Sequence, residues 1–281
     1  MWIIKNYLHL RRPKRFLSLT LAIALILNLF IVKDADAGLV EFLRKIFSKP
    51  NRVGISPGKH RGAATQDRCP FLAVSQPYLT ALVPSTQNGE IFIEKTVESH
   101  PTFWFYVPYS ARDYVKVEFV LIDQNEQDVY KAIFPIVLKE PGIISIKIPE
   151  TAPELDVNQK YRWVFSIICN PANRSGDITV NGWLKRVEKD NQIINAINQI
   201  ASSKSPTQQG GELATIYAQH EIWYETLNAL GQAYQSYPQD SSVRAEWLEL
   251  LQAINLEDLS NYPVMPCCLS KEGKSTAIPP E

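Results

Sequence analysis

The chain has 281 residues, with 29 Lys and Arg against 29 Asp and Glu, 45% hydrophobic and 10% aromatic content. That apolar content excludes wholesale disorder, and the balanced charge excludes the positive surplus with which a nucleic-acid binder displaces counterions. The length suits one or two domains with a sizeable buried core.

Residues 1–37 read as an address. Lys5, Arg11, Arg12, Lys14 and Arg15 precede an uncharged run, Phe16 to Val32, and Ala35-Asp36-Ala37 then offers small residues at the −3 and −1 positions of a cut. A basic segment, an apolar segment and an A-x-A site describe a secretory signal peptide. The rival reading is an uncleaved anchor through residues 16–32, at the short end of what spans a bilayer. Removing residues 1–37 takes away six basic and two acidic groups, which leaves 23 basic and 27 acidic ones. The exported chain is thus mildly acidic, and no polybasic site for DNA or anionic lipid is expected; the signal segment is its only expected link to a membrane.

All four cysteines, Cys69, Cys169, Cys267 and Cys268, survive the cut. In an oxidising compartment they are expected as disulfides, since no C-x-x-C or nearby histidine suits zinc.

Residues 38–68 read as a leader and flexible linker. Leu39, Phe42, Leu43, Ile46 and Phe47 share one side of a short amphipathic helix over 38–48, which reads as a loosely docked leader or a membrane-surface contact. The linker 49–68 is rich in Pro, Gly, Lys, Arg and Ser.

Residues 69–187 predict a β-domain with seven strands, over 77–83, 102–108, 114–123, 128–137, 142–148, 160–170 and 177–187. Val115, Val117, Phe119 and Leu121 alternate with Lys116 and Glu118, and Tyr161, Trp163, Phe165, Ile167 and Cys169 alternate with Arg162 and Ser166. One dry and one wet face per sheet predicts two antiparallel sheets stacked as an immunoglobulin/fibronectin-like β-sandwich. The run Leu155 to Tyr161 enters the sixth strand, where a tyrosine bends its hydroxyl back to an upstream backbone group as a tyrosine corner. Strand parity puts the start of the first strand and the end of the sixth at one end of the sandwich, which predicts a Cys69–Cys169 bridge and leaves the pairing of Cys267 and Cys268 open.

After Val187 the apolar period changes to 3.6, which predicts a C-terminal helical subdomain over 188–262, packed on the sandwich, and a short tail over 263–281. Ile193, Ile194, Ile197 and Ile200 form a first stripe, followed by a break over 202–211. A long helix is expected over 212–236, and Asp240, Ser241 or Ser242 caps a second that carries Val243, Trp247, Leu250, Leu251 and Ile254, completing a helical hairpin. Tyr224, Leu227, Leu230, Pro238 and Trp247 have the flavour of one tetratricopeptide unit, but no second copy follows.

Several fragments, in order, carry a family resemblance: Arg68-Cys69-Pro70, Leu79 to Pro84, Pro101 to Tyr109, Tyr161-Arg162-Trp163 through Cys169, Gly182-Trp183 with Arg186, and Ile222-Trp223-Tyr224. Together they resemble the cyanobacterial domain-of-unknown-function family 928 over roughly 69–262. The resemblance implies an exported cyanobacterial protein and brings no activity, cofactor or catalytic residue with it.

Past the signal segment the histidines are His60, His100 and His220, and His220-Glu221 lacks the second histidine of a zinc-protease helix. No nucleophile elbow or phosphate-cradling glycine loop occurs, and no metal or cofactor is implied. Trp104 and Tyr106 alternate with Phe103 and Phe105, so one pair is either an open face for stacking sugars or lies beneath the helices. Arg174 marks a hairpin loop able to carry recognition. The reading is an exported, non-catalytic interaction or assembly module of the periplasm or envelope, binding an envelope protein or a glycan. The rivals are a secreted hydrolase acting on polysaccharide and a carbohydrate-binding module.

Overall fold

The computed structural model describes residues 41–47, 55–56, 61–62, 77–86, 89–108, 115–136, 138–200 and 205–267. The expected signal segment 1–37, Cys69 and Cys268 lie outside them. The fold is mixed α and β, with two sheets, a two-stranded ribbon and five helices among the described residues.

In chain order, α1 (41–47) precedes β1 (Ile55–Ser56), β2 (Thr80–Ala81), β3 (Ile91–Phe92) and β4 (Glu94–Thr96). Then come β5 (Thr102–Val107), β6 (Val115–Ile122), β7 (Asp128–Ile136), β8 (Gly142–Lys147), β9 (Lys160–Ile167) and β10 (Ile178–Arg186). The helices α2 (Asn191–Ile200), α3 (Pro206–Gln219), α4 (Trp223–Ser236) and α5 (Ser241–Ala253) follow, and β11 (Val264–Met265) returns to a sheet.

The five-stranded sheet has the order β4-β10-β9-β6-β7, and the four-stranded sheet β11-β8-β5-β2. Their central pairs are antiparallel, in registers such as Phe119 opposite Phe165 and Phe105 opposite Ile144. Alternation explains which residues meet between them. Phe103 and Phe105 of the smaller sheet approach Phe119, Trp163 and Phe165 of the larger, with Phe105 stacked on Phe165 at 4.2 Å. Edge pairing differs from the expectation of antiparallel neighbours throughout. Strand β4 runs parallel to β10 and β11 parallel to β8, because each arrives from a long connection rather than a hairpin.

The linker is also more engaged than expected. Ile55 and Ser56 pair with β3, Arg61 bridges to Thr80, and the Arg61 guanidinium meets Asp258 at 3.2 Å. In α1, Leu43 and Phe47 are each 1% exposed, and the Phe47 ring stands edge-on to Trp223 at 4.8 Å. These two side chains are therefore spent inside the fold rather than loosely docked or offered to a membrane.

The single long helix expected over 212–236 is two helices. Chain direction changes at His220–Ile222, where Glu221 takes a left-handed φ of 58°. Helix α3 also begins earlier, at Pro206, and runs through Gly210 and Gly211, which composition alone marks as a break. The close approach of α3 and α4 uses that glycine: a Cβ on Gly210 would stand 2.5 Å from the Ala233 Cβ. Helix α5 starts where its cap dictates, with Asp240 Oδ1 accepting from the Ser242 and Val243 backbone N–H groups. The helical region is therefore four helices rather than a hairpin.

Candidate functional site

Helix α4 is the element that joins the sheets to the helices. Its first three residues each reach a different part of the β-structure. Trp223 donates its indole N–H to the Leu82 carbonyl at 3.1 Å. Tyr224 accepts from Trp163 Nε1 at 2.8 Å, donates to the Trp183 carbonyl at 3.4 Å, and sets its ring 5.3 Å from Phe103. Glu225 reaches β4, where its carboxylate accepts from Thr96 Oγ at 2.5 Å and from the Val97 backbone N–H at 3.3 Å. Two turns later Gly231 passes over Trp104, so closely that a Cβ there would lie 2.6 Å from the indole ring.

Beside this junction is a cleft of about 280 Å³ between α3, α4, the β4–β5 connection and the end of β8. It brings together the ionisable side chains of Glu98, His100, Lys147, Tyr217 and Glu225. Glu225 is 6% exposed. Burial pushes its carboxyl up to about 7, against the pull of the Thr96 hydrogen bond and with help from the Glu98 charge. Burial also raises the Tyr224 phenol well above its ordinary value, and raises Tyr217 against the opposing charge of Lys189. For Lys189, burial pulls the ammonium down, but Tyr217 and Glu98 outweigh it and the net direction is up.

Each of these groups has a partner within the protein. His100 is held at both nitrogens, with Nδ1 3.1 Å from Ser99 Oγ and from a Glu150 oxygen, and Nε2 3.0 Å from the Ala152 carbonyl. Lys147 pairs with Glu150 at 2.8 Å and Lys189 with Glu98 at 3.4 Å. The Gln232 amide donates to Asn228 at 3.3 Å. Chemically, the cleft can hold a proton on Glu225; the Glu225 and Tyr224 hydrogen bonds fasten α4 to the sheets, while those of His100, Lys147 and Lys189 stay among the strands and their connections.

Sequence reasoning missed this site. Thr96 and Glu225 lie 129 positions apart, and neither stands in a recognisable motif. The one local signal was a carboxylate set in the apolar run from Ile222 to Leu227, where a helix has little solvent to offer it.

The residues singled out from the sequence fall elsewhere. Trp104 and Tyr106 do not form an open face: they are 2% and 1% exposed. The helical region covers them, with Trp104 6.2 Å from Trp247 and Tyr106 4.5 Å from Tyr262. A β-strand with aromatic residues on both faces needs apolar cover on both, and here the opposite sheet supplies one and the helical region the other. Arg174 is tied down by Glu118 at 2.9 Å and Asp177 at 2.5 Å, and these carboxylates, Glu118 first, raise its guanidinium further. Tyr161 accepts from the Asp156 backbone N–H at 2.8 Å, and the carbonyl of buried Leu155 takes a hydrogen bond from Arg186. Neither Cys169 nor Cys267 is a free thiol. Cys169 is buried, and its backbone N–H donates to Asp177 at 3.1 Å.

Comparison with known proteins adds a family and little else. A β-glucuronidase from Parabacteroides merdae is similar at 11% identity and a TM-score of 0.21, over 57% of this chain and 30% of that one. A glycosyl hydrolase family 2 member from Bacteroides cellulosilyticus is similar at 10% identity and a TM-score of 0.21, over 67% of this chain and 35% of that one. The chain thus spans about a third of either structure. No curated protein matches it. Residues 57–264, which include both sheets' central strands and the whole α4 junction, match the family described as Domain of Unknown Function (DUF928), and the chain belongs to that family.

Proposed function

We propose that the protein is an exported, non-catalytic interaction or assembly module of the periplasm or cell envelope, built on an immunoglobulin- or fibronectin-like sandwich. The observation that carries this reading is how the cleft spends its polar groups. Glu225 and Tyr224 fix α4 on the sheets through Thr96 and Trp163, and His100, Lys147 and Lys189 are engaged by Ala152, Glu150 and Glu98 in the connections that flank the strands. A catalytic set leaves at least one group aimed at a substrate; this one is arranged as a joint. The strand order β7-β6-β9-β10 facing β8-β5-β2 supports the sandwich assignment, as does the Tyr161–Asp156 bond at the entry to β9. The basic and apolar segments of residues 1–37 support export, and the burial of Cys169 without a free thiol supports the Cys69–Cys169 bridge.

A second reading has one specific observation behind it. A buried carboxyl near pH 7 beside Glu98 in a cleft is the kind of acid a polysaccharide hydrolase uses. The deciding experiment is capture of a tagged full-length chain from the envelope of the source cell, run beside a glycan array. The module reading expects a complex of fixed stoichiometry. Enrichment of no protein, together with retention on glycans, would defeat it.

A further inference from the structure

Helix α3 begins with two turns that have little of their own to hold them. Residues Pro206 to Gly211 bury no apolar side chain, and the Ser205 side chain makes no capping hydrogen bond. Each glycine in a helix interior costs about 1 kcal/mol relative to alanine, and these turns carry two. Their contacts run through the missing side chains instead. Gly210 lies against Ala233 of α4, and Gly211 lies against Glu246 of α5, where a Cβ would collide with the carboxylate.

A carboxyl is out of place there. Glu246 stands on the apolar stripe of α5, one turn from Val243 and one from Leu250, both fully buried. Its Oε2 is closed off from water and has no hydrogen-bond partner. Among the described residues no cation meets it. Helix α5 itself supplies Glu249 and Asp240, with exposed Arg244 on the opposite face. Helix α3 brings Glu212, on the groove beside α2, and Tyr217, in the Glu225 cleft. Helix α4 brings Tyr224 and Glu225, bonded to Trp163 and Thr96, and Tyr234, stacked on Trp247. The turn Glu257–Leu259 brings Glu257 and Asp258, and Asp258 is taken by Arg61. Burial first, then the Glu249 and Asp240 charges, raise the Glu246 carboxyl to about 7. Protonated, it is a neutral filler of the seam; ionised, it is a charge without a donor, which calls for water.

We propose that the seam between α3 and α5 is a pH-controlled latch: protonated Glu246 seats the first two turns of α3 on α5, and ionised Glu246 releases them and lets water reach the carboxylate. The release is local, because the rest of α3 is anchored separately. Ala214, Tyr217 and Ala218 are buried, and Tyr217 packs with Val97, Ile193 and Ile222. Opening two glycine-bearing turns at a helix start takes little free energy, so one proton can decide it. A carboxyl raised in the seated form contributes its full share to seating below its ordinary 4.5 and loses it as pH rises through about 7. The latch goes beyond the module reading: it sets when the start of α3 leaves α5, whatever the partner is.

The test is amide hydrogen exchange of the exported chain from pH 5 to 8, read as protection after correction for the intrinsic, base-catalysed rate. The amides of residues 209–214 report on the first two turns, and strands β9 and β10 report on global opening. Protection over 209–214 is expected to fall about tenfold or more beyond any fall in the two strands. Glu246→Gln, which keeps the shape and removes the charge, should cut that excess to about threefold or less. Glu246→Met, which fills the seam with an apolar chain, gives the same reading if the amide is not tolerated. Equal falls in α3 and in the strands would overturn the latch, since the carboxylate would then reach water by turning outward alone. An excess that survives removal of the carboxyl would overturn it too. Either failure leaves the module reading standing, because that reading is judged by the complex captured from the envelope.

Discussion

At the residue scale, Glu225 concentrates the chemistry of this protein. Its carboxyl is raised to about 7 in the folded chain, against an ordinary 4.5. The folded state therefore holds that proton more tightly than the unfolded state does, and the stability tied to it is complete below pH 4.5 and lost as pH rises through about 7. The shift corresponds to about 3 kcal/mol. Urea unfolding between pH 5 and 8 is expected to show stability falling by at least an amount of that order, since burial and the Glu249 and Asp240 charges raise the Glu246 carboxyl to about 7 as well. Glu225→Gln, which keeps an acceptor for Thr96 without the charge, should reduce the slope by the Glu225 share and leave that of Glu246. An unchanged slope in the variant would assign the proton elsewhere. Tyr161→Phe removes the acceptor of the Asp156 N–H and is expected to cost about 1–2 kcal/mol in the same measurement, with the fold retained. Of these two residues only Tyr161 was legible beforehand, because its place at the entry to a strand is a local fact. Glu225 owes its meaning to Thr96 and Glu98, which only the tertiary fold brings near.

At the element scale, the six long strands β5 to β10 were legible because one-sided burial writes itself as alternation, whereas the strand expected over 77–83 is only the two-residue β2. Phe119 after Glu118, or Trp163 after Arg162, are examples of that alternation. The short edges β3, β4 and β11 were not, since two or three residues carry no period. The helices erred in an instructive way. The apolar stripe runs on through Tyr217 and Tyr224, and nothing in it announces the left-handed turn at Glu221 or the use of Gly210 as a contact. Helix α4 is the element whose placement decides the rest, and Gly231 is where it has least room. Gly231→Ala improves helix propensity by up to about 1 kcal/mol, yet sets a methyl 2.6 Å from the rigid Trp104 ring. Overpacking of that kind costs about 1–3 kcal/mol, so the variant is expected to unfold at lower urea and to shift the tryptophan emission as Trp104 is displaced. Equal or greater stability would mean that α4 can slide on the sheet.

At the scale of the whole molecule, α4 ties the helical region to both sheets through Trp223, Tyr224 and Glu225, and Trp247, Tyr262 and β11 add further contacts. A bridge between Cys69 and Cys169 would close a loop of about 100 residues, worth up to about 4–5 kcal/mol. A non-reducing peptide map is expected to join these two, and linkage of Cys169 to Cys267 or Cys268 would contradict it. Family membership covers 57–264 and so spans the joint from β4 to α4, while α1 stands outside it. The claim on which the account turns is that the α4 cleft fastens rather than catalyses. The most direct measurement is reducing-sugar release from a panel of envelope and storage polysaccharides by the wild-type chain and by Glu225→Gln, assayed from pH 5 to 8. The account expects no turnover by either protein; turnover by the wild type that falls a hundredfold or more in the variant would contradict it.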